Sequence, residues 1–165
     1  MQRFIFVISS SLLLANSLSA QSVRVTDLQC EYLHDPIGID NAHPRLRWQI
    51  AGTDKDVFQK SYQIVAGTDS SEILNKKGNA WQTRKTDSAG NLVVYQGKAL
   101  VPFTRYYWNV AVQLNNNKQI TSPVQSFETG MLSVSEWKGF WISDGQDINR
   151  KPAPYFRKIF ICKKY

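Results

Sequence analysis

Residues 100–114 read LVPFTRYYWNVAVQL. From Arg105 onward the bulky apolar side chains fall on every second position: Tyr106, Trp108, Val110, Val112 and Leu114. Successive side chains of a strand point to opposite faces, so this period of two predicts a ten-residue strand with one buried face and one polar face. A helix would spread the same five residues around its whole circumference. Pro102, with its fixed φ, sets a turn just before the strand, and Asn115, Asn116 and Asn117 make a turn just after it.

The same period recurs on either side. Pro44 to Ile50 places Leu46, Trp48 and Ile50 on one face, and Gln59 to Gly67 alternates Tyr62, Ile64 and Ala66. Val23 to Tyr32 starts Val-x-Val and resumes as Leu28, Cys30 and Tyr32. The phase slip near Asp27 predicts a bulge. Between these strands, His34 to His43 is a loop by its Asp, Pro, Gly and Asn content. Shorter candidates are Trp81 to Thr86, Leu92 to Tyr95 and the closing Val124 to Thr129, with Ser70 to Asn75 a helical turn or the start of a strand. About seven strands separated by turns, with no helix of the dozen residues that a parallel crossover needs, predict an all-β antiparallel sandwich over residues 21–132.

After Gly130 the pattern changes. Ser133 to Trp137 reads as a connector, Phe140-Trp141-Ile142 as a short apolar run, Asp144 to Pro154 as a loop and Tyr155 to Cys162 as a strand. So short a piece cannot bury enough apolar surface to fold by itself. It is expected to be the start of a second, incomplete β-sandwich over 133–165.

The chain has 165 residues, 20 of them Lys or Arg and 13 Asp or Glu, for a formal charge of +7. That charge is not on the body. Arg3 lies in the leader, and six basic residues with no acid lie in 150–165, which leaves residues 21–149 formally neutral. A nucleic-acid binder presents its positive charge on its folded surface, so no nucleic-acid partner is expected.

Residues 1–20, MQRFIFVISSSLLLANSLSA, carry one early cation, an uncharged run from Phe4 to Ala15 and small residues at Ser17, Ser19 and Ala20. This is the build of a secretory signal peptide, too short to span a bilayer. Cleavage is expected after Ala20, with Ser19 as the alternative, giving a secreted or periplasmic chain with no transmembrane segment. Such a compartment permits disulfides. Cys30 and Cys162, the only cysteines, are assigned to different domains and read as two unpaired small hydrophobes.

Catalytic signatures are missing from the sequence. It contains no G-x-S-x-G, no Cys–His arrangement and no phosphate-cradling glycine loop. No two carboxylates have a scaffold that would hold them across a cleft as glycosidases require. His34 and His43 lack structural-zinc spacing, and Asp144, Asp147 and Asn149 depart from a calcium loop, so no metal or cofactor is expected. Trp48, Tyr106 and Trp108 lie at strand spacing and are assigned to the core. Trp81, Trp137 and Trp141 are less determined and are the candidates for stacking on a sugar.

Leu100-x-Pro102-x-Thr104-x-Tyr106 resembles the tyrosine corner of fibronectin type III sandwiches, in which the phenol hydroxyl bonds back to the preceding corner's backbone; Trp48 matches that fold's core aromatic. The order of longer stretches goes further. CEYLHDPIGIDNAHPRLRWQI, QKSYQIVAGT, TRYYWNVAVQ, FETGML, EWKGFWI and APYFRKIF together resemble the N-terminal part of secreted bacterial α-L-rhamnosidases, over residues 23–161. The resemblance implies an opening immunoglobulin-like or fibronectin-like sandwich followed by a carbohydrate-binding-type sandwich. It also implies a parent enzyme that removes terminal α-L-rhamnose with inversion, using carboxylates in an (α/α)₆ barrel far downstream. No residue here matches a catalytic motif, so none is assigned. The implied partners are the rest of the parent enzyme and, through the tryptophans, rhamnose-containing carbohydrate. A stand-alone sandwich used for adhesion or protein binding, or a carbohydrate-binding module, is the alternative.

Overall fold

The strand predicted over Arg105–Leu114 forms there and is the centre of the molecule. In the computed structural model, which describes residues 23–83, 86–145, 149 and 155–161, the strands are β1 (Val23–Cys30), β2 (Arg45–Gly52), β3 (Gln59–Gly67), β4 (Trp81–Gln82), β5 (Thr86–Asp87), β6 (Leu92–Val94), β7 (Arg105–Leu114), β8 (Gln119–Thr121) and β9 (Gln125–Glu128). A five-residue helix, α1 (Ser70–Leu74), follows β3. All strand pairings are antiparallel.

Two sheets result. One has the order β1-β2-β6. The other has β3 and β7 side by side, with β4 and β5 along the outer edge of β3 and β8 and β9 along the outer edge of β7. Their inward faces interleave. Leu46 and Trp48 of β2 meet Ile64 and Ala66 of β3 and Trp108, Val110 and Val112 of β7, all fully buried. Burial of one such aliphatic side chain is worth roughly 1.5–3 kcal/mol, so this interleaved layer is what holds the sheets together. The fold is the antiparallel sandwich that the alternation predicted, of the immunoglobulin-like kind that the resemblance implied.

The expected bulge is present. The β1–β2 register shifts between Thr26 and Gln29, and Asp27 takes a positive φ of 52°. The extra residue returns Leu28 and Cys30 to the buried face already occupied by Val23 and Val25. A second interruption divides β8 from β9. Pro123 has no N–H for the ladder, and Ser122 compensates: its N–H donates to Val110 O at 2.9 Å while its Oγ accepts from Val110 N at 3.0 Å.

The described chain divides into two compact units between Leu132 and Ser133. In the second, Ser133 caps a 3-10 turn over Val134–Glu136. The strand expected over Tyr155–Cys162 does not form: residues 155–161 are in neither strand nor helix, and neither are residues 140–142. An apolar run becomes a strand only when a neighbouring strand takes its backbone hydrogen bonds, and none pairs with these segments among the described residues. The leader, Asp147 and Cys162 lie outside the described residues.

Candidate functional site

The corner before β7 is built as expected. Tyr106 is buried, stacks on Phe127 with centroids 5.4 Å apart, and its hydroxyl accepts the Val101 N–H at 2.9 Å. Thr129 completes the corner: its buried Oγ1 donates to Val101 O at 2.6 Å and accepts from Thr104 N at 2.9 Å. Trp48 is the core aromatic. Its indole N–H donates to Gln59 Oε1 at 2.9 Å, and Gln59 Nε2 donates in turn to the carbonyls of Ser88 and Gly90, at 2.8 and 2.7 Å. This relay ties β2, β3 and the approach to β6 through one buried amide. Alternation alone did not reveal it, because it marked Gln59 only as a strand end.

The three candidate tryptophans have different settings. Trp81, on β4, is half-buried and lies edge-on to Tyr95, centroids 5.1 Å apart. Tyr95 itself is buried, its hydroxyl donating to Lys98 O at 2.8 Å, and burial pushes its pKa up to about 12. Trp137 and Trp141 belong to the second unit and come together, with centroids 6.5 Å apart and planes tilted by 33°; they are 60% and 95% exposed.

The histidines are occupied within the fold. His34 Nε2 lies 3.1 Å from Asp27 Oδ1 and its Nδ1 lies 3.2 Å from Leu28 O, so it braces the β1 bulge. His43 Nδ1 lies 3.2 Å from Tyr95 O. Among the described residues no three His, Cys, Asp or Glu side chains gather as a metal set. Cys30 is a buried free thiol that burial, aided by the neighbouring Glu31 charge, pushes up to about 12. Glu31 is held below the usual carboxylate range by hydrogen bonds from the Arg45 guanidinium, which also lies over the Tyr32 ring.

The outward face of the β3–β7 sheet holds a hollow lined mainly by side-chain amides. A cleft of about 110 Å³ runs across β4, β3, β7 and β8, lined by Gln63, Gln82, Asn109, Gln119 and Thr121 over Ala111 and Val65, with Lys76 at its margin. A smaller hollow of about 50 Å³ shares Gln63, Ala111 and Gln119 and adds Ser61, Tyr62 and Gln113. The sequence signals these residues only as the polar side of two alternating strands, a pattern shared by any solvated sheet face.

Comparison with known proteins is consistent with this architecture. Residues 25–133 match the family described as Rha78A-like, N-terminal immunoglobulin domain. An alpha-L-rhamnosidase of Streptomyces avermitilis is 31% identical over 134 residues, covering 80% of this chain and 13% of that protein. One from Formosa agariphila is 30% identical over 166 residues, covering 94% of this chain and 18% of that protein. The solved alpha-L-rhamnosidase of Dictyoglumus thermophilum superposes with a TM-score of 0.70 at 30% identity, over 73% of this chain and 14% of that one. The chain therefore spans less than a fifth of the length of these alpha-L-rhamnosidases. With two-thirds of its length covered by that match, the chain belongs to the Rha78A-like N-terminal immunoglobulin-domain family.

Proposed function

We propose that this chain is the non-catalytic N-terminal accessory module of a secreted glycoside hydrolase that removes terminal α-L-rhamnose, and that its task is to position the catalytic part. The observation that carries the reading is the match of residues 25–133 to a domain that occupies only the opening of proteins called alpha-L-rhamnosidases. The use made of the acids supports it. Glu31 is engaged by Arg45, Glu128 by Arg105 and Asp69 by the first turn of α1, each in a structural contact. The chain's partner is then the remainder of the parent enzyme, residues 133–165 begin a second sandwich, and the leader is removed after Ala20 to release the chain into a periplasm or the medium.

Incubation of the 165-residue chain with an aryl α-L-rhamnoside is expected to give no turnover above the blank. Hydrolysis that persists in the presence of a zinc chelator overturns the reading. The mass of the exported protein checks the leader, with Gln21 as the expected first residue.

The Trp137–Trp141 pair favours a second reading, a carbohydrate-binding module that stacks sugar on exposed indoles. A saturable change in tryptophan fluorescence with rhamnose-containing oligosaccharides supports it, and a flat titration removes it.

A further inference from the structure

We propose that the outward face of the β3–β7 sheet binds one ring of a neutral sugar in the amide-lined cleft. The register places the lining side by side: Gln82 opposite Val65, Gln63 opposite Ala111, Thr121 opposite Ala111, and both Ser61 and Gln119 opposite Gln113. The floor is low because Ala111 stands at the centre of the face, between Gln63 and Thr121. The segment following β3 builds one end: Ile73 of α1 is fully buried outside the main core, and Lys76 closes the margin.

The chemistry of the lining selects the ligand. Each glutamine or asparagine offers donors and an acceptor, and each hydroxyl offers both, as the adjacent hydroxyls of a sugar do. Gln63 Nε2 already donates to Thr83 O at 3.1 Å, which leaves its Oε1 as an acceptor. The Ser61 hydroxyl, in the adjoining hollow, is wholly buried and has no hydrogen-bond partner among the described residues. An unpaired buried hydroxyl is unfavourable, and an incoming polar ligand relieves it. Lys76 is the single charged lining residue of the two hollows, so an acidic ligand has little to pair with. A protein partner would need an aromatic or large aliphatic anchor; the cleft floor offers only Val65 and Ala111, and Tyr62 of the adjoining hollow packs edge-on against Trp48 of the core.

The inference goes beyond the accessory role and does not rest on it: rhamnoside hydrolysis by the chain would end that reading and leave this one standing. The test is to titrate the ¹⁵N-labelled full chain with L-rhamnose, D-galactose and D-glucose, with D-galacturonate as the charged control. At least one neutral sugar is expected to give saturable shifts in the side-chain amide signals of Gln63, Gln82, Asn109, Gln113 and Gln119. The expected Kd is roughly millimolar, the strength a few neutral hydrogen bonds support, and salt should not change it. Ala111→Arg fills the cleft and should abolish the shifts; Gln119→Ala, on the exposed edge strand, keeps the fold and should weaken binding several-fold. The proposal is overturned if no neutral sugar gives a saturable shift at about 50 mM. Shifts confined to the Trp137 and Trp141 indoles, a response to galacturonate alone that salt removes, or a response unaffected by both substitutions would overturn it equally.

Discussion

The Tyr106 phenol oxygen lies 2.9 Å from the Val101 backbone nitrogen and accepts its hydrogen. Tyr106→Phe keeps the ring stacked on Phe127 and leaves that N–H without a partner. The substitution should destabilise the sandwich by about 1–3 kcal/mol, seen as a lower urea midpoint at unchanged m-value. An unchanged midpoint would deny the corner any role in stability.

Gln59→Leu should be worse. It keeps the volume and orphans the Trp48 indole N–H and the carbonyls of Ser88 and Gly90 at once. The expected loss is about 3 kcal/mol or more, greater than for the corner variant in the same urea assay.

Gly97 sits against Tyr95. An added Cβ would come within 2.5 Å of the Tyr95 hydroxyl and 2.6 Å of Ala80 O. Gly97→Ala should therefore cost about 1–3 kcal/mol through overpacking. Pairing it with Tyr95→Phe should recover part of the loss, because the hydroxyl contact goes and the carbonyl contact stays.

Alkaline pH should loosen the fold through Cys30 and Tyr95, both pushed up to about 12. The unfolded chain releases these protons first, at the ordinary values of 9.0 for the thiol and 10.0 for the phenol. It therefore binds fewer protons than the native state in that window, and stability falls as pH rises from about 9 toward 12. Cys30→Ala should flatten part of that slope in urea titrations. In a Cys162→Ser background, Cys30 should resist thiol reagents near neutral pH until denaturant is added.

Brief chymotrypsin treatment should remove residues beyond Leu132 first. Trp137, Phe140, Trp141, Tyr155 and Phe160 are exposed, and residues 137–145 and 155–161 carry no helix or strand. A first cut within the 23–130 body would place the boundary elsewhere.

The sandwich was legible because three of its four long strands pair a heavy face with a light one: β2, β3 and β7 form where Leu46 and Trp48, Ile64 and Ala66, and Tyr106 to Leu114 alternate. Short edge strands were less legible. The three residues of β8 hold their place by pairing with β7, and Pro123 hides their continuity with β9. The segment predicted as a strand from Tyr155 shows the opposite failure, since its apolar pattern over 155–161 fits a strand that finds no partner among the described residues. The cleft was invisible for a third reason. Alternation marks which residues point outward, yet it cannot show that the segment from α1 to Lys76 walls one end or that a bulge between Gln59 and Ser61 resets the phase of β3.

The route by which the chain leaves the sandwich has a mechanical meaning. Thr129 N–H donates to Thr104 O, Gly130 N–H to Ile39 O, and Gly38 N–H to Glu128 O, so the last residues are gripped from both sides. Any load on the exit at Leu132 is therefore shared between the loop at Gly38 and Ile39 and the Thr104 corner that opens the central strand. The sandwich thus holds its own last strand at two places, so the exit cannot fray without first breaking contacts to both the 36–39 loop and the corner before β7.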